Sequence, residues 1–387
     1  MHVGLSLLTL ASGRSTGTGT YVRGLLKEFE RGNGPDEVTV LLRDRAVDDF
    51  SELRNGPLNL AVLPSSRSGT NLASRLSALS PTWLQSPRVC RLLAGLDVLH
   101  YPLTLPVPRT RLPCVLTLHD VQHHDLPELF SRAQHTWRRA AYDNAARRAT
   151  VVIAVSGHAK GRIVERIGIA PDRIEVAHHG IDTRRFTSGW TSGDEEALAA
   201  YGLPERFLFY PAALWPHKNH NRLLDSLAAV DDPELGVVFT GPRFGGGARL
   251  MEGVARRRLG ERVRHLGPVP PTVVPALYRR AAALIFPSLY EGFGTPPLEA
   301  MACGCPVACS SAASLPEICG DAALMFDPGS TESIAAAVRR IVSDSDLRGR
   351  LRQAGVERAR EFTWRRAAQR HQAAFERALA LGPQAHA

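Results

Sequence analysis

Short runs of β-branched and aliphatic residues alternate with longer segments rich in Ala, Leu and Arg along the whole chain. Strands buried on both faces read as continuous apolar runs, so this alternation is the pattern of parallel sheets covered by helices. In the first half it predicts strands over Val3–Leu8, Val38–Leu42, Val98–His100, Cys114–His119, Val151–Val155 and Ile174–Val176. Thr20–Arg31 and Ser131–Thr150 read as helices, and Asn55–Arg91, rich in Pro, Ser and Gly, reads as containing a long loop. After Phe186 a turn-rich stretch leads into a helix and the cycle restarts. Strands are expected over Phe207–Tyr210, Val237–Thr240, Val263–Leu266, Leu284–Phe286 and Val307–Cys309. Helices fill Asn221–Ala229, Pro275–Ala281, Pro297–Ala302 and Thr331–Val342, the last with Ile334, Val338, Ile341 and Val342 at helical spacing behind the cap residues Ser330 and Thr331.

The fold class expected is therefore α/β, as two successive doubly wound, Rossmann-like units. The first covers residues 1–187 and the second 188–362. Ligands of such sheets sit beyond the strand C-termini, so two facing units would put their site in the cleft between them.

Composition narrows the functional classes. At 387 residues the chain exceeds one ordinary core, and 44% hydrophobic with 22% charged residues describes a globular protein. It contains no stretch of about twenty apolar residues, as a spanning helix needs. The apolar N-terminus has no basic leader and reads as a first strand, so a cytoplasmic location is expected. The six Cys are expected as free thiols; Cys303, Cys305 and Cys309 lack a second Cys pair or His to complete a zinc site. A net charge of +9 favours anionic partners. The Arg residues are scattered, however, and no nucleic-acid motif accompanies them, so nucleic acid is not an expected partner. Of 47 basic residues only Lys27, Lys160 and Lys218 are Lys.

The segment Phe286–Glu299, FPSLYEGFGTPPLE, runs from a strand through a Gly loop into a helix that opens at Pro296 or Pro297. Gly residues let backbone amides approach a ligand, and a helix N-terminus favours a phosphate. Glu291 and Glu299 flank this loop and would repel a diphosphate, so they are read as acceptors from the hydroxyls of a sugar and a ribose. In Tyr210–His220, YPAALWPHKNH, another strand leads into a helix, and Lys218 would stabilise charge on a leaving diphosphate.

These segments resemble the retaining GT-B glycosyltransferases of family 4, whose paired-glutamate motif EGFGTPPLE matches; the likeness extends over residues 205–342, including PHKNHNRLL and SLPEICGDAALMFDP. The resemblance implies that Glu291 binds donor-sugar hydroxyls, that Gly292, Phe293 and Gly294 supply amides, and that Glu299 holds the ribose. Thr295, Leu298, His217 and Glu317 join the donor-binding set. His119, at a strand end, matches the family's histidine near the reacting carbon, which makes His119, Glu291 and Lys218 the catalytic candidates. Gly17 and Gly19, in SGRSTGTGT, match the Gly-rich loop that closes over the donor phosphates. His123 and His124 are read as lining the loop after His119. His178 and His179 belong to a segment resembling the family's interdomain hinge and, with no convergent carboxylate, are not read as a metal site.

One departure stands out. The family places an Arg five or six residues before the Lys, where this chain has Ala212 and Ala213. Either His217, Arg14 or Arg243 takes its place, or one cation suffices.

Asp344-Ser-Asp346 spells the DxD of metal-dependent sugar transferases, but it falls between two helices, where Asp is a good cap. Neither a metal nor a cofactor is expected. The reading is of a metal-independent hexosyltransferase that takes its sugar from a nucleotide-diphosphate donor, GDP- or UDP-hexose, and passes it with retention to a hydroxyl acceptor. Domain closure would exclude water, and the closing helix, roughly Thr363–Leu381 within 363–387, should return to the first domain. A nucleotide-sugar epimerase and a non-catalytic nucleotide-sugar binding protein are the alternatives. Thr136–Arg148 is a basic amphipathic helix, read either as a solvated face with a buried Trp or as a peripheral membrane contact.

Overall fold

The computed structural model describes residues 1–10, 17–53, 56–64 and 87–383. Arg14, most of the expected loop at 55–91 and residues 384–387 lie outside the described residues. The chain divides into two compact units, Met1–Gly180 with Trp364–Ala387, and Ile181–Thr363. The first boundary thus falls before the 187 read from the sequence.

In the first unit, β1 (His2–Ser6), β2 (Glu37–Arg43), β3 (Asn59–Leu63), β4 (Val98–Tyr101), β5 (Cys114–Leu118), β6 (Val151–Ala154) and β7 (Ile174–Val176) form one sheet in the order β3-β2-β1-β4-β5-β6-β7. Every pairing is parallel, as in Val3 beside Val38 and Val98. One face is covered by the helix Gly17–Glu30 and the C-terminal helix Trp364–Leu381, which share a core of Val22, Leu25, Phe29 and Phe375. The other face carries Ala145, Ala146, Ile163 and Ile167. β3 was not anticipated: its sequence, Asn-Leu-Ala-Val-Leu, sits inside Pro- and Ser-rich text, and as an edge strand it buries only one end.

The helix expected over Ser131–Thr150 exists but is interrupted. Ser131 and Gln134 form a reciprocal cap, Arg132–Arg138 is α-helical, Arg139–Asp143 is a π turn, and Asn144–Arg148 resumes. Trp137, buried in one of the two readings of this helix, is 38% exposed.

In the second unit, β8 (Arg206–Pro211), β9 (Leu235–Thr240), β10 (Val263–His265), β11 (Ala283–Phe286), β12 (Val307–Ser310) and β13 (Leu324–Phe326) form a parallel sheet ordered β10-β9-β8-β11-β12-β13. β13 is a three-residue edge strand, too short for a sequence signal. Asp344 accepts from the Leu347 N–H at 2.8 Å and caps the helix Ser345–Arg360, the role expected of the DxD lookalike. All six Cys are free; Cys303 and Cys305 are buried, which pushes both thiols up to about 12. Among the described residues no helix is long and apolar enough to cross a membrane.

Candidate functional site

β8 and β11 are the neighbours at which the winding of the second sheet reverses, with β9 and β10 on one side and β12 and β13 on the other. Loops leaving such a pair diverge to opposite faces and open a crevice at the C-terminal edge. The two strongest motifs leave the sheet there: the turn Pro216–Lys218 after β8 and the loop Glu291–Gly294 after β11.

Local chemistry fixes the first turn. It ends at Asn219, whose φ of 61° is a left-handed conformation that Asn tolerates better than most residues. Asn219 Nδ2 donates to the carbonyls of Pro287 at 3.1 Å and Pro328 at 2.8 Å. The Leu289 N–H donates to the His217 carbonyl at 2.7 Å. Buried Tyr210 donates to the Lys218 carbonyl at 2.8 Å and lies 3.1 Å from Ser288 Oγ. The β8 turn is thereby bonded to the β11 loop.

This brings Lys218 Nζ to 2.5 Å from Glu291 Oε1, with the two side chains 17% and 13% exposed. Two residues assigned separate roles in the sequence form one ion pair. The carboxylate orients the ammonium and moderates its charge, while Glu291 Oε2 has no side-chain partner among the described bonds.

The second loop is held from below. Ser314 Oγ lies 2.9 Å from the Glu291 carbonyl and 2.8 Å from the Phe293 carbonyl, sharing its proton between them. Gly294 has φ 100°, and a Cβ there would sit 2.6 Å from Leu315 Cδ2, so both conformation and space demand Gly. It caps the helix Thr295–Ala302, which carries Pro296 and Pro297 in a first turn whose N–H groups have no intrahelical partner anyway. Phe293 and Leu298 do not offer side chains to a ligand: both are buried, Phe293 edge-on to Phe362 with ring centroids 5.9 Å apart. Any contribution they make is through the backbone. Thr295 is half-buried at the start of the helix.

Glu299 is half-buried on that helix and accepts from the Tyr278 hydroxyl at 2.9 Å through Oε2. Burial raises its pKa, against the opposing pull of the Tyr278 bond and Arg185. Glu317 lies on the helix Leu315–Cys319 after β12, its carbonyl accepting from Arg358 Nη2 at 2.6 Å.

The missing Arg has a steric context. Ala212 is buried, and a Cβ on Gly241 would meet its carbonyl carbon at 3.0 Å, so the end of β8 packs against the turn after β9. Arg243 is exposed and donates from Nε to His265 Nδ1 at 3.4 Å. His217 is half-buried in the turn beside Lys218.

In the first unit His119 directly follows β5. Its Nε2 lies 2.9 Å from the Pro102 carbonyl, just past β4. A carbonyl only accepts, so Nε2 carries the proton. Burial lowers the His119 pKa, so the ring is neutral near pH 7 and Nδ1 keeps its lone pair. The ring is braced edge-on by Tyr21 at 5.2 Å and by His179 at 5.8 Å. Tyr21 in turn bonds His371 Nε2 at 2.6 Å and Thr117 Oγ1 at 3.0 Å. Gly17 and Gly19 do not form a loop: they open the helix Gly17–Glu30, Gly17 exposed and Gly19 buried. Whatever amides they offer are those of a first helical turn.

Sequence reasoning missed Tyr210, Ser288, Tyr278 and Ser314, which position the site without carrying charge. Tyr210 and Ser288 stand at or just beyond strand ends, the one signal that would have pointed to them.

Comparison with known proteins identifies the family and the fold. Residues 195–358 match the family described as Glycosyl transferases group 1, and residues 15–185 match Glycosyltransferase Family 4. The chain is 28% identical over 272 residues to an O-antigen chain mannosyltransferase B of Escherichia coli, covering 69% of this chain and 71% of the relative. It is 33% identical over 225 residues to a D-inositol 3-phosphate glycosyltransferase of Salinispora arenicola, 53% of this chain and half of that one. Among solved structures, the Anabaena HepE protein in complex with UDP and glucose superposes with TM-score 0.73 at 21% identity, over 95% of this chain and 97% of that one. Sucrose-phosphate synthase of Thermosynechococcus elongatus reaches 0.78 at 19%, over 98% and 99%. With a two-sheet α/β architecture of GT-B type and both halves matched in order, the chain belongs to the group 1, family 4 glycosyltransferases.

Proposed function

We propose that the protein transfers a hexosyl group from a nucleotide-diphosphate sugar to a hydroxyl acceptor, with retention and without a divalent metal. The observation that carries this is the Lys218–Glu291 pair at the winding reversal of the second sheet, beside a Gly loop that opens a helix. The ammonium and the helix N-terminus suit a diphosphate that gains charge as the glycosidic C–O bond lengthens. Glu291 Oε2 and Glu299 Oε1 suit hydroxyls of a hexose and a ribose. The donor we propose is a GDP- or UDP-hexose and the acceptor a polyol; a structural neighbour holding UDP-glucose supports the first, and relatives named as a mannosyltransferase and an inositol phosphate glycosyltransferase support hexosyl transfer and a polyol acceptor.

His119 contributes as a neutral acceptor. With Nε2–H committed to Pro102, Nδ1 takes a hydrogen bond from a sugar hydroxyl. Among the described residues no carboxylate beside Lys218 other than its own partner stands ready as a covalent nucleophile, so the departing diphosphate is assigned as the base that takes the acceptor proton on the same face. Support for metal independence comes from the Lys218 ammonium and the helix N-terminus at the donor loop, and from Asp344 serving as a helix cap.

The test is nucleotide release. Incubation with GDP-mannose, UDP-glucose and related donors, with a panel of polyol acceptors, should give nucleoside diphosphate and an α-linked product from an α-linked donor. A β-linked product would overturn retention, and conversion of the donor to its epimer without an acceptor would replace transferase with epimerase.

A further inference from the structure

His123 and His124, expected to line the loop after His119, instead converge on one buried carboxylate. His123 Nε2 lies 3.2 Å from Asp143 Oδ1, and His124 Nε2 lies 3.0 and 3.1 Å from its two oxygens. The imidazole rings sit 4.4 Å apart, and one ligand atom from each of the three residues falls within 4.8 Å of the others. Side-chain exposure is 0% for His123, 10% for His124 and 4% for Asp143.

The arrangement is built rather than incidental. The π turn Arg139–Asp143 interrupts its helix where Asp143 turns inward, and single π turns inside helices recur at functional sites. Asp143 is also an exception to the way this chain treats buried acids. Asp125, on the same short helix as the two His, is bonded by Arg162 and Arg166 at 2.9 and 3.1 Å. Asp194 is bonded by Arg279 at 2.6 Å from two guanidinium nitrogens. No Lys or Arg is within ion-pair distance of Asp143 among the described residues, and its side chain meets only the two imidazoles. Burying a carboxylate beside no fixed cation is costly.

We propose that His123, His124 and Asp143 form a binding site for a borderline divalent transition metal of the Zn²⁺ type. Two imidazole nitrogens and one carboxylate are a ligand set for such an ion, with a fourth position left to water on the side of His124. Bonds of about 2.1 Å in a tetrahedron set ligand atoms about 3.4 Å apart. The present 3.0 to 3.2 Å separations of the imidazole nitrogens from the carboxylate need to widen by only a few tenths of an ångström, and the two imidazole nitrogens already stand within 4.8 Å of each other. An ion here would clamp the helix Gln122–Asp125 onto the π turn, bracing the segment that begins at His119. The proposal does not depend on glycosyl transfer, and the ion it describes is distinct from a metal holding the donor diphosphate.

The experiment uses the purified full chain, stripped with a chelator, dialysed, and titrated with Zn²⁺ in competition with a chromophoric chelator; Co²⁺ serves as a spectroscopic substitute. Expected is about one tight equivalent of Zn²⁺, weakened about 100-fold or more in Asp143→Asn and in His124→Gln. Co²⁺ should give visible absorption in the wild type that both variants lose. Circular dichroism establishes that each variant is folded; should Asp143→Asn not fold, the less buried His124→Gln decides. Absence of binding tighter than about 10 µM would mean that the carboxylate is matched by imidazole N–H groups alone and overturns the proposal. So would equal affinity in His124→Gln, which would place the ion elsewhere.

Discussion

The Lys218–Glu291 pair can be separated into what it does for folding and what it does for the reaction. At 2.5 Å and an effective dielectric constant of about 20, the gross attraction is about 7 kcal/mol. Most of that offsets the cost of taking two groups out of water, since the side chains are only 17% and 13% exposed. Removing one partner strands the other, at a cost on the order of 3 kcal/mol, whereas removing both costs much less. Lys218→Met and Glu291→Gln should therefore each lower the thermal midpoint by about 6–12 °C, and the double variant should recover much of the loss. Activity should behave differently. If the ammonium meets charge on the leaving diphosphate, its loss removes about 3–4 kcal/mol from the transition state, about 10²- to 10³-fold in kcat. The double variant then regains stability but not turnover. Differential scanning calorimetry beside a nucleotide-release assay reads both quantities. A double variant that recovers activity together with stability would show the pair to be structural and refute its catalytic role.

Other positions give sharper local tests. Gly294→Ala must hold φ near 100° and push against Leu315, so it should destabilise by about 2–4 kcal/mol and weaken donor binding, as denaturant melts and calorimetric titration would show. His371 is buried, and burial lowers its pKa to about 4. Its neutral form is the one the fold accepts. Below about 6.5 the unfolded chain takes up a proton that the folded chain refuses, so stability should fall from there down to about pH 4, by on the order of 3 kcal/mol. His371→Gln should flatten that slope in pH-dependent denaturant melts. Adding Mg²⁺ or Mn²⁺ to chelator-treated enzyme should leave turnover unchanged in a steady-state assay.

Much of this architecture was legible because buried parallel strands are written as apolar runs. β1, β2, β4 to β7 and β8 to β12 all lie where Val, Ile, Leu and Phe cluster. β3 and β13 escaped because they are edge strands, short or half-buried, and share their composition with loops. The π turn escaped because Arg139–Asp143 reads as ordinary helix, and only the inward position of Asp143 distinguishes it. At the site, residues with formal charge or a Gly loop were visible, since Lys218 is rare in an Arg-rich chain and EGFGTPPLE is dense in special conformations. Their mutual arrangement was not visible: that Lys218 and Glu291 meet depends on Tyr210 and Asn219 bonding the β8 turn to the β11 loop, 78 and 68 residues away in sequence, and on Ser314 holding that loop from below. Phe293 and Leu298, singled out for their place in the motif, are core residues because the loop needs an anchor as much as a binding face.

The central claim is that the second unit holds a nucleoside diphosphate against Lys218, and calorimetric titration with GDP and UDP tests it most directly. The account predicts that the wild-type chain binds at least one of the two and that Lys218→Met weakens it tenfold or more, about 1.4 kcal/mol. Failure of both nucleotides to bind a folded wild-type chain, or equal affinity in the variant, would contradict it.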